Sequence, residues 1–274
     1  MHSEVAPGGA AVYSMGVGIS LPDCGVAAHR GGAAHAPENT CSSLREAVRL
    51  GAHQIEFDLR RSADGAVIVI HDPRVDRTSD GRGAVSKLTL AQLRKLDAGA
   101  YFGADFVGER IPTLEEALDE LPFDVWINLQ IKRGEDIAAQ VVETVLRQGR
   151  LQQCVLACGN AAGREARRVV PEVMLCNLVR QRSRLDYIAH AMESGSQFVQ
   201  FHYLRGLPSE LEVKRAHEAG LRINFFCTPD AKDTQGKEVD ALFAADVDFV
   251  LVDDVAGALA VAARHGISAL QRNF

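Results

Sequence analysis

From residue 24 onward, short runs of β-branched and aliphatic residues alternate with segments of helical period, and this alternation restricts the fold more than any other property of the chain. The predicted strands are GVAAH at 25–29, HQIEFDL at 53–59, AVIVIH at 66–71, FDVWINLQI at 123–131, CVLAC at 154–158, VMLCNL at 173–178, QFVQFH at 197–202, LRINFFC at 221–227 and DFVLVD at 248–253. Predicted helices at 39–51, 112–121, 136–149, 183–195, 208–220 and 257–266 fall between most of them. Asn39 or Thr40 and Ser209 suit N-caps, Pro112 suits a helix start, and several helices end in glycine. The strands are continuous apolar runs rather than alternating ones, so both of their faces are buried, as in a parallel sheet covered by helices. Eight or nine such units in about 250 residues fit a closed (β/α)8 TIM barrel. An open dinucleotide-binding sheet is disfavoured, because no G-x-G-x-x-G turn follows the first strand.

One barrel domain is therefore expected over residues 23–274. It carries a small excursion at about 72–111, where the turn signals HDPR and SDGRG accompany a short helix, TLAQLRKL. Residues 1–22 read as a weakly ordered extension. Their apolar stretch follows Glu4 rather than a basic region, so a signal peptide is not favoured. The formal charge of −6 argues against a nucleic-acid partner. The six cysteines form no C-x-x-C pair and several lie in apolar runs, which points to reduced thiols and a cytoplasmic location. No segment reaches the roughly 20 continuous apolar residues of a membrane span. Nothing in the sequence sets the oligomeric state.

In such barrels chemistry is done at the C-terminal ends of the strands, so the ionisable residues there carry the information. His29 closes the first strand, followed by Arg30, and His71 and Asp72 close the third. Glu56 and Asp58 lie two apart in the second strand and share one side, as do Asn128, Gln130 and Lys132 in the fourth. Two carboxylates in an apolar strand are costly unless a positive partner holds them. A divalent cation would serve, and hard oxygen donors suit Mg²⁺ or Ca²⁺, with Mn²⁺ as a further candidate. The bland alternative is an ion pair with Arg60 or Arg30. Arg30 and Lys132 suit phosphoryl oxygens, and two imidazoles suit proton transfer near neutral pH. Together they meet the needs of phosphodiester cleavage. His2, His53, His190, His217 and His265 read as structural, and His202 as a borderline pocket residue.

The motifs AHRGG at 28–32, APENT at 36–40, GAHQIEFDL at 51–59, DGAVIVIHD at 64–72 and DRTSDGRGAVSKLTLAQLRKLD at 76–97 come in a specific order and spacing. They continue with IPTLEEAL at 111–118, NLQIK at 128–132 and, more weakly, VDFVLVDD at 247–254. Through them the sequence resembles the glycerophosphodiester phosphodiesterase family over most of its length. The resemblance implies a TIM barrel that hydrolyses a small-molecule glycerophosphodiester to glycerol 3-phosphate and an alcohol. It implies paired acid and base catalysts at His29 and His71, metal ligands at Glu56 and Asp58, phosphate contacts from Arg30 and Lys132, and an orienting role for Glu38. Two departures stand out. Gln130 replaces the family's usual glutamate, leaving two formal negative charges for a metal instead of three, with help only from the amide carbonyl. INFFCTPD replaces the usual tryptophan-containing strand, with Phe226 near the tryptophan's place. The rival readings are a lysophospholipid or sugar-phosphodiester cleaving enzyme on the same scaffold, and a binding homologue impaired by Gln130. Two proton carriers argue against the last.

Overall fold

Alternation within each strand decides what enters the barrel, and it sorts the side chains into an apolar floor and a polar mouth. The computed structural model describes residues 19–132, 134–227 and 235–272. Most of the expected N-terminal extension, residues 1–18, lies outside the described residues. Nine strands form one sheet: β1 (Gly25–Ala28), β2 (Gln54–Arg61), β3 (Val67–Val69), β4 (Trp126–Ile131), β5 (Cys154–Cys158), β6 (Met174–Asn177), β7 (Phe198–His202), β8 (Arg222–Phe226) and β9 (Phe249–Val252). Eight of them close into a parallel barrel, because β1 pairs with β9 on one side and β2 on the other. The helices α1 (Cys41–Leu50), α3 (Leu114–Asp119), α4 (Ala138–Arg147), α5 (Asn160–Val169), α6 (Arg184–Glu193), α7 (Glu210–Glu218), α8 (Gln235–Ala244) and α9 (Val255–Ala262) alternate with those strands.

The third predicted strand is not a barrel stave. β3 runs antiparallel to the end of β2, with Leu59 opposite Val69, and stands outside the ring. The excursion thus begins with β3 rather than at residue 72. It includes the short α2 (Leu90–Leu93) and has its own apolar nucleus of Ile68, Ile70, Val75, Val85, Leu93, Ala98 and Ile111. Its apolar content made β3 look like the other buried strands, because a satellite core buries side chains as thoroughly as the main one. Two helices, α5 and α8, were not foreseen. Thr40 and Ser209 cap α1 and α7 as expected, but α3 is capped by Thr113, with Pro112 outside the helix.

Ile55, Phe57 and Leu59 of β2 point outward into the layer between barrel and helices, as do Ile127 and Leu129 of β4. The intervening residues point inward. At the floor these are Ala27, Trp126, Val155, Phe198 and Phe249, with the Trp126 and Phe198 rings 5.4 Å apart. The Trp126 indole N–H donates to Pro22 O at 2.8 Å, which ties the start of the described chain to the floor. Towards the C-terminal ends the inward positions become Glu56, Asp58, Asn128, Gln130, Gln200, His202 and Asn224. The register sets Glu56 beside Asn128 and Asp58 beside Gln130. Among the described residues no helix is long and apolar enough to cross a membrane.

Candidate active site

Arg30 turns the chain sharply as it leaves β1, in the left-handed region at φ 52° and ψ 33°. A side chain pays of order 1–2 kcal/mol for that conformation, so it persists only where its surroundings fix it. Here the backbone N–H of Arg30 donates to Glu56 Oε2 at 3.0 Å, and its carbonyl accepts from Asn39 N at 3.0 Å and Ser43 Oγ at 3.1 Å. Gly31 follows at φ 81°, and a Cβ there would lie 2.4 Å from Ser43 Oγ and 2.8 Å from the Ser43 carbonyl carbon. The turn therefore locks the HRG segment that follows β1 against the start of α1.

This turn carries His29, whose Nδ1 lies 2.7 Å from Asp253 Oδ1 just beyond β9. Asp253 is held below the usual carboxylate range; burial opposes this, and the bond to His29 together with the charges of His29 and Arg30 outweighs it. His71, beyond β3, has the same arrangement, with Nδ1 2.6 Å from Asp72 Oδ1. In both rings the carboxylate takes Nδ1, and Nε2 is the remaining nitrogen. Burial, with the charges of Lys132 and Arg30, pushes the His71 imidazole below its ordinary pKa, against the pull of Asp58 and Asp72. Asp72 falls to about 2, chiefly through its bond from Arg77.

Between the two histidines lie Glu56 and Asp58, both almost fully buried. Asp58 Oδ2 accepts from Asn39 Nδ2 at 2.8 Å and lies 3.4 Å from Arg30 Nε, while Oδ1 meets Lys132 Nζ at 2.5 Å. Burial would raise its pKa, but the charges of Lys132, Arg30 and His71 carry it well below the ordinary range. Glu56 goes the other way, pushed up to about 7 by burial and then by the charge of Asp58. Its Oε1 is buried with no hydrogen-bond partner, and Gln130 Oε1 faces the Lys132 ammonium. An orphaned carboxylate oxygen beside a second carboxylate and an amide carbonyl is a donor set that a hard divalent cation fits. Among the described residues no cluster of three acidic, histidine or cysteine side chains is arranged to hold a metal, in keeping with glutamine at position 130.

The bland alternative of an ion pair is thus realised in part. Asp58 pairs with Arg30 and Lys132, whereas Arg60 turns away to Glu135 at 3.0 Å. Glu38 accepts from Arg30 at 2.9 Å and in two bonds of 2.7 Å from Arg77, and its backbone N–H donates to Tyr101 Oη at 3.1 Å. Arg77 also reaches Asp72 at 2.7 Å, so the excursion braces the turn that holds His71 against the one that holds Arg30. Opposite, Phe226 packs 4.6 Å from the His29 ring and 5.2 Å from His202, which lies 4.4 Å from Tyr203. His53, His190, His217 and His265 bond to Ser268, Asn160, Asp248 and Asp240, away from this mouth. Sequence reading assigned no role to Asp253 or Arg77. Asp253 could have been found as the inward residue ending the last strand, whereas Arg77 had no signal beyond its place in a motif.

A family model described as the glycerophosphoryl diester phosphodiesterase family matches residues 29–256, a span that holds every residue of the mouth just described. The chain belongs to this family. A glycerophosphodiester phosphodiesterase of Caldanaerobacter subterraneus subsp. tengcongensis is 31% identical over 235 residues, covering 84% of this chain and 93% of the relative. A phosphodiesterase of Oleispira antarctica, solved in complex with the product sn-glycerol-3-phosphate, has 26% identity and a TM-score of 0.76, covering 89% of this chain and 97% of that one. A glycerophosphodiester phosphodiesterase of Agrobacterium tumefaciens has 26% identity and a TM-score of 0.74, covering 86% and 99%. The protein is accordingly a phosphodiesterase enzyme on a (β/α)8 barrel.

Proposed function

We propose that this family member hydrolyses glycerophosphodiesters to glycerol 3-phosphate and an alcohol, with a divalent cation bound and with His29 and His71 carrying the protons. The observation that supports it most is the pair of imidazoles beyond β1 and β3, two of the three strands paired with β2, around the carboxylates that β2 contributes. Each Nδ1 is fixed by a carboxylate, which leaves each Nε2 as the working nitrogen. Arg30 and Lys132 supply positive charge to the non-bridging phosphoryl oxygens. One neutral imidazole removes a proton from the nucleophile, either water or a hydroxyl of the substrate's own glycerol. The new P–O bond forms as the bond to the leaving alcohol breaks, and the other imidazole, as imidazolium, protonates that departing oxygen; where the nucleophile is the glycerol hydroxyl this leaves a cyclic phosphate, which the two imidazoles, their proton roles exchanged, open with water to glycerol 3-phosphate. Glu56, Asp58 and the carbonyl of Gln130 would hold Mg²⁺, Ca²⁺ or Mn²⁺, which supplies charge that polarises the phosphoryl group.

The test is release of glycerol 3-phosphate from glycerophosphocholine by EDTA-treated protein given each metal in turn, beside His29→Ala and Gln130→Glu. Metal-dependent release that vanishes in His29→Ala supports the reading. No wild-type turnover, with activity appearing in Gln130→Glu, would favour a binding homologue, the second reading that Gln130 motivates. Inactivity of every variant with every metal rejects the substrate, and lysophospholipids or sugar diesters follow.

A further inference from the structure

The connections from β6 to α6 and from β7 to α7 rise on the catalytic face, since they leave the C-terminal ends of their strands. Four large apolar side chains stand out from them and from the first turns of the helices they lead into: Leu185 at 42% exposure, Leu204 at 68%, Leu207 at 48% and Leu211 at 54%. They are not the loose ends of mobile loops, because the two connections are bolted together. The Arg205 guanidinium donates to Arg182 O at 2.7 Å and Gln181 O at 2.6 Å. Buried Arg184 donates to Leu207 O at 3.1 Å and to Gly206 O, and pairs with Glu212 at 3.3 Å. The leucines are thus presented on a fixed platform, and single exposed apolar residues are common whereas a grouped set marks a contact surface.

The same platform is basic, in a chain whose formal charge is −6. Arg180 and Arg182 are exposed and have no ion-pair partner among the described residues, and Arg205 bonds only to carbonyls. Against these three stand Asp186, which takes a hydrogen bond from Ser183 Oγ at 2.8 Å, and Glu210, while Arg184 and Glu212 cancel. Protruding leucines among arginines suit a surface that is apolar inside and anionic outside. A second copy of the chain suits them less, since a twofold contact would set the arginines against their own copies. The platform also borders the mouth: next to Leu204, the Tyr203 ring lies 5.8 Å from Phe226, which packs on His29.

We propose that residues 180–185 and 203–211 dock the catalytic face onto an anionic lipid surface. That the docked face is catalytic rests on the function proposed above, whereas the docking itself does not. The 274-residue chain is sedimented with vesicles of phosphatidylcholine, alone or mixed with phosphatidylglycerol. Binding is expected to favour the mixed vesicles and to weaken with salt. It should fall about fivefold in Arg182→Gln and about tenfold or more in the pair Leu204→Ser and Leu211→Ser. Turnover of soluble glycerophosphocholine, read separately, should match wild type in these variants, so failure of the phosphodiesterase reading and failure of docking are distinguishable. Absence of sedimentation with either vesicle overturns the proposal, as does binding that the substitutions leave unchanged. A dimer in light scattering that the leucine substitutions dissociate also overturns it, assigning the face to self-association.

Discussion

Replacing Asp253 with alanine removes the acceptor that holds His29 Nδ1 at 2.7 Å, and the consequence can be worked from that contact. A hydrogen bond to a charged group is worth about 1.5–3 kcal/mol, and this one has the short length of a charge-assisted bond. The side chains of His29 and Asp253 are only 11% and 18% exposed, so solvent screens the pair weakly. If the bond fixes the tautomer and aim of the ring, its loss lowers kcat/KM by about 10- to 150-fold. Most of the loss is expected in kcat, because the ring still occupies its place between Phe226 and the acidic pair. Asp253→Asn keeps an oxygen that can accept the Nδ1 proton but loses the charge, so about a 3- to 10-fold loss is expected. The assay is initial-rate release of glycerol 3-phosphate, with thermal unfolding run alongside. An alanine variant that folds normally and stays within about threefold of wild type refutes the positioning argument.

Gln130→Glu adds a third carboxylate beside Asp58 and should tighten divalent-cation binding by about tenfold or more, read by competition with a metal-sensitive dye. Equal affinities would refute the two-carboxylate account. Because His71 titrates below its ordinary value, the acid limb of kcat/KM should lie below a pH of about 6.5. The bond that His71 donates to Asp72 raises that pKa, so Asp72→Ala should move the limb further down; movement upward would contradict the assignment. The same depressed pKa contributes stability above the unfolded value, lost as pH falls through the folded one, and denaturant midpoints across that window check it. Gly31→Ala forces a Cβ to within 2.4 Å of Ser43 Oγ at φ 81°. Backbone conformation and overpacking together should cost about 2–5 kcal/mol in denaturant unfolding, and a loss below about 1 kcal/mol would show that α1 yields easily.

How far the sequence reached can be seen residue by residue. Glu56 and Asp58 could be paired in advance because period-two geometry puts residues i and i+2 of any strand on one side. Gln130 and Lys132 followed by the same rule. His29 and His71 stood out as imidazoles closing apolar runs. That β3 lies outside the barrel was not legible, because burial in a satellite core gives the same run of apolar residues as burial between barrel and helices. Nor were α5 and α8, since the face that α5 buries is made of the small residues Gly163 and Ala166 and the apolar residues of α8 follow the helical period only weakly.

By itself the sequence determined the alternating architecture, which residues of each strand share a side and the residue types needed for phosphodiester chemistry, all of which depend on neighbours a few positions apart. Tertiary structure alone decided which charges neutralise which. It joined His29 to Asp253 across 224 positions, put Lys132 rather than Arg60 on Asp58, and drew Arg77 in from the excursion to Glu38 and Asp72. Closure of the barrel does this, because pairing β1 with β9 brings the two ends of the chain to one rim, and a charge buried there takes its partner from whatever strand arrives alongside.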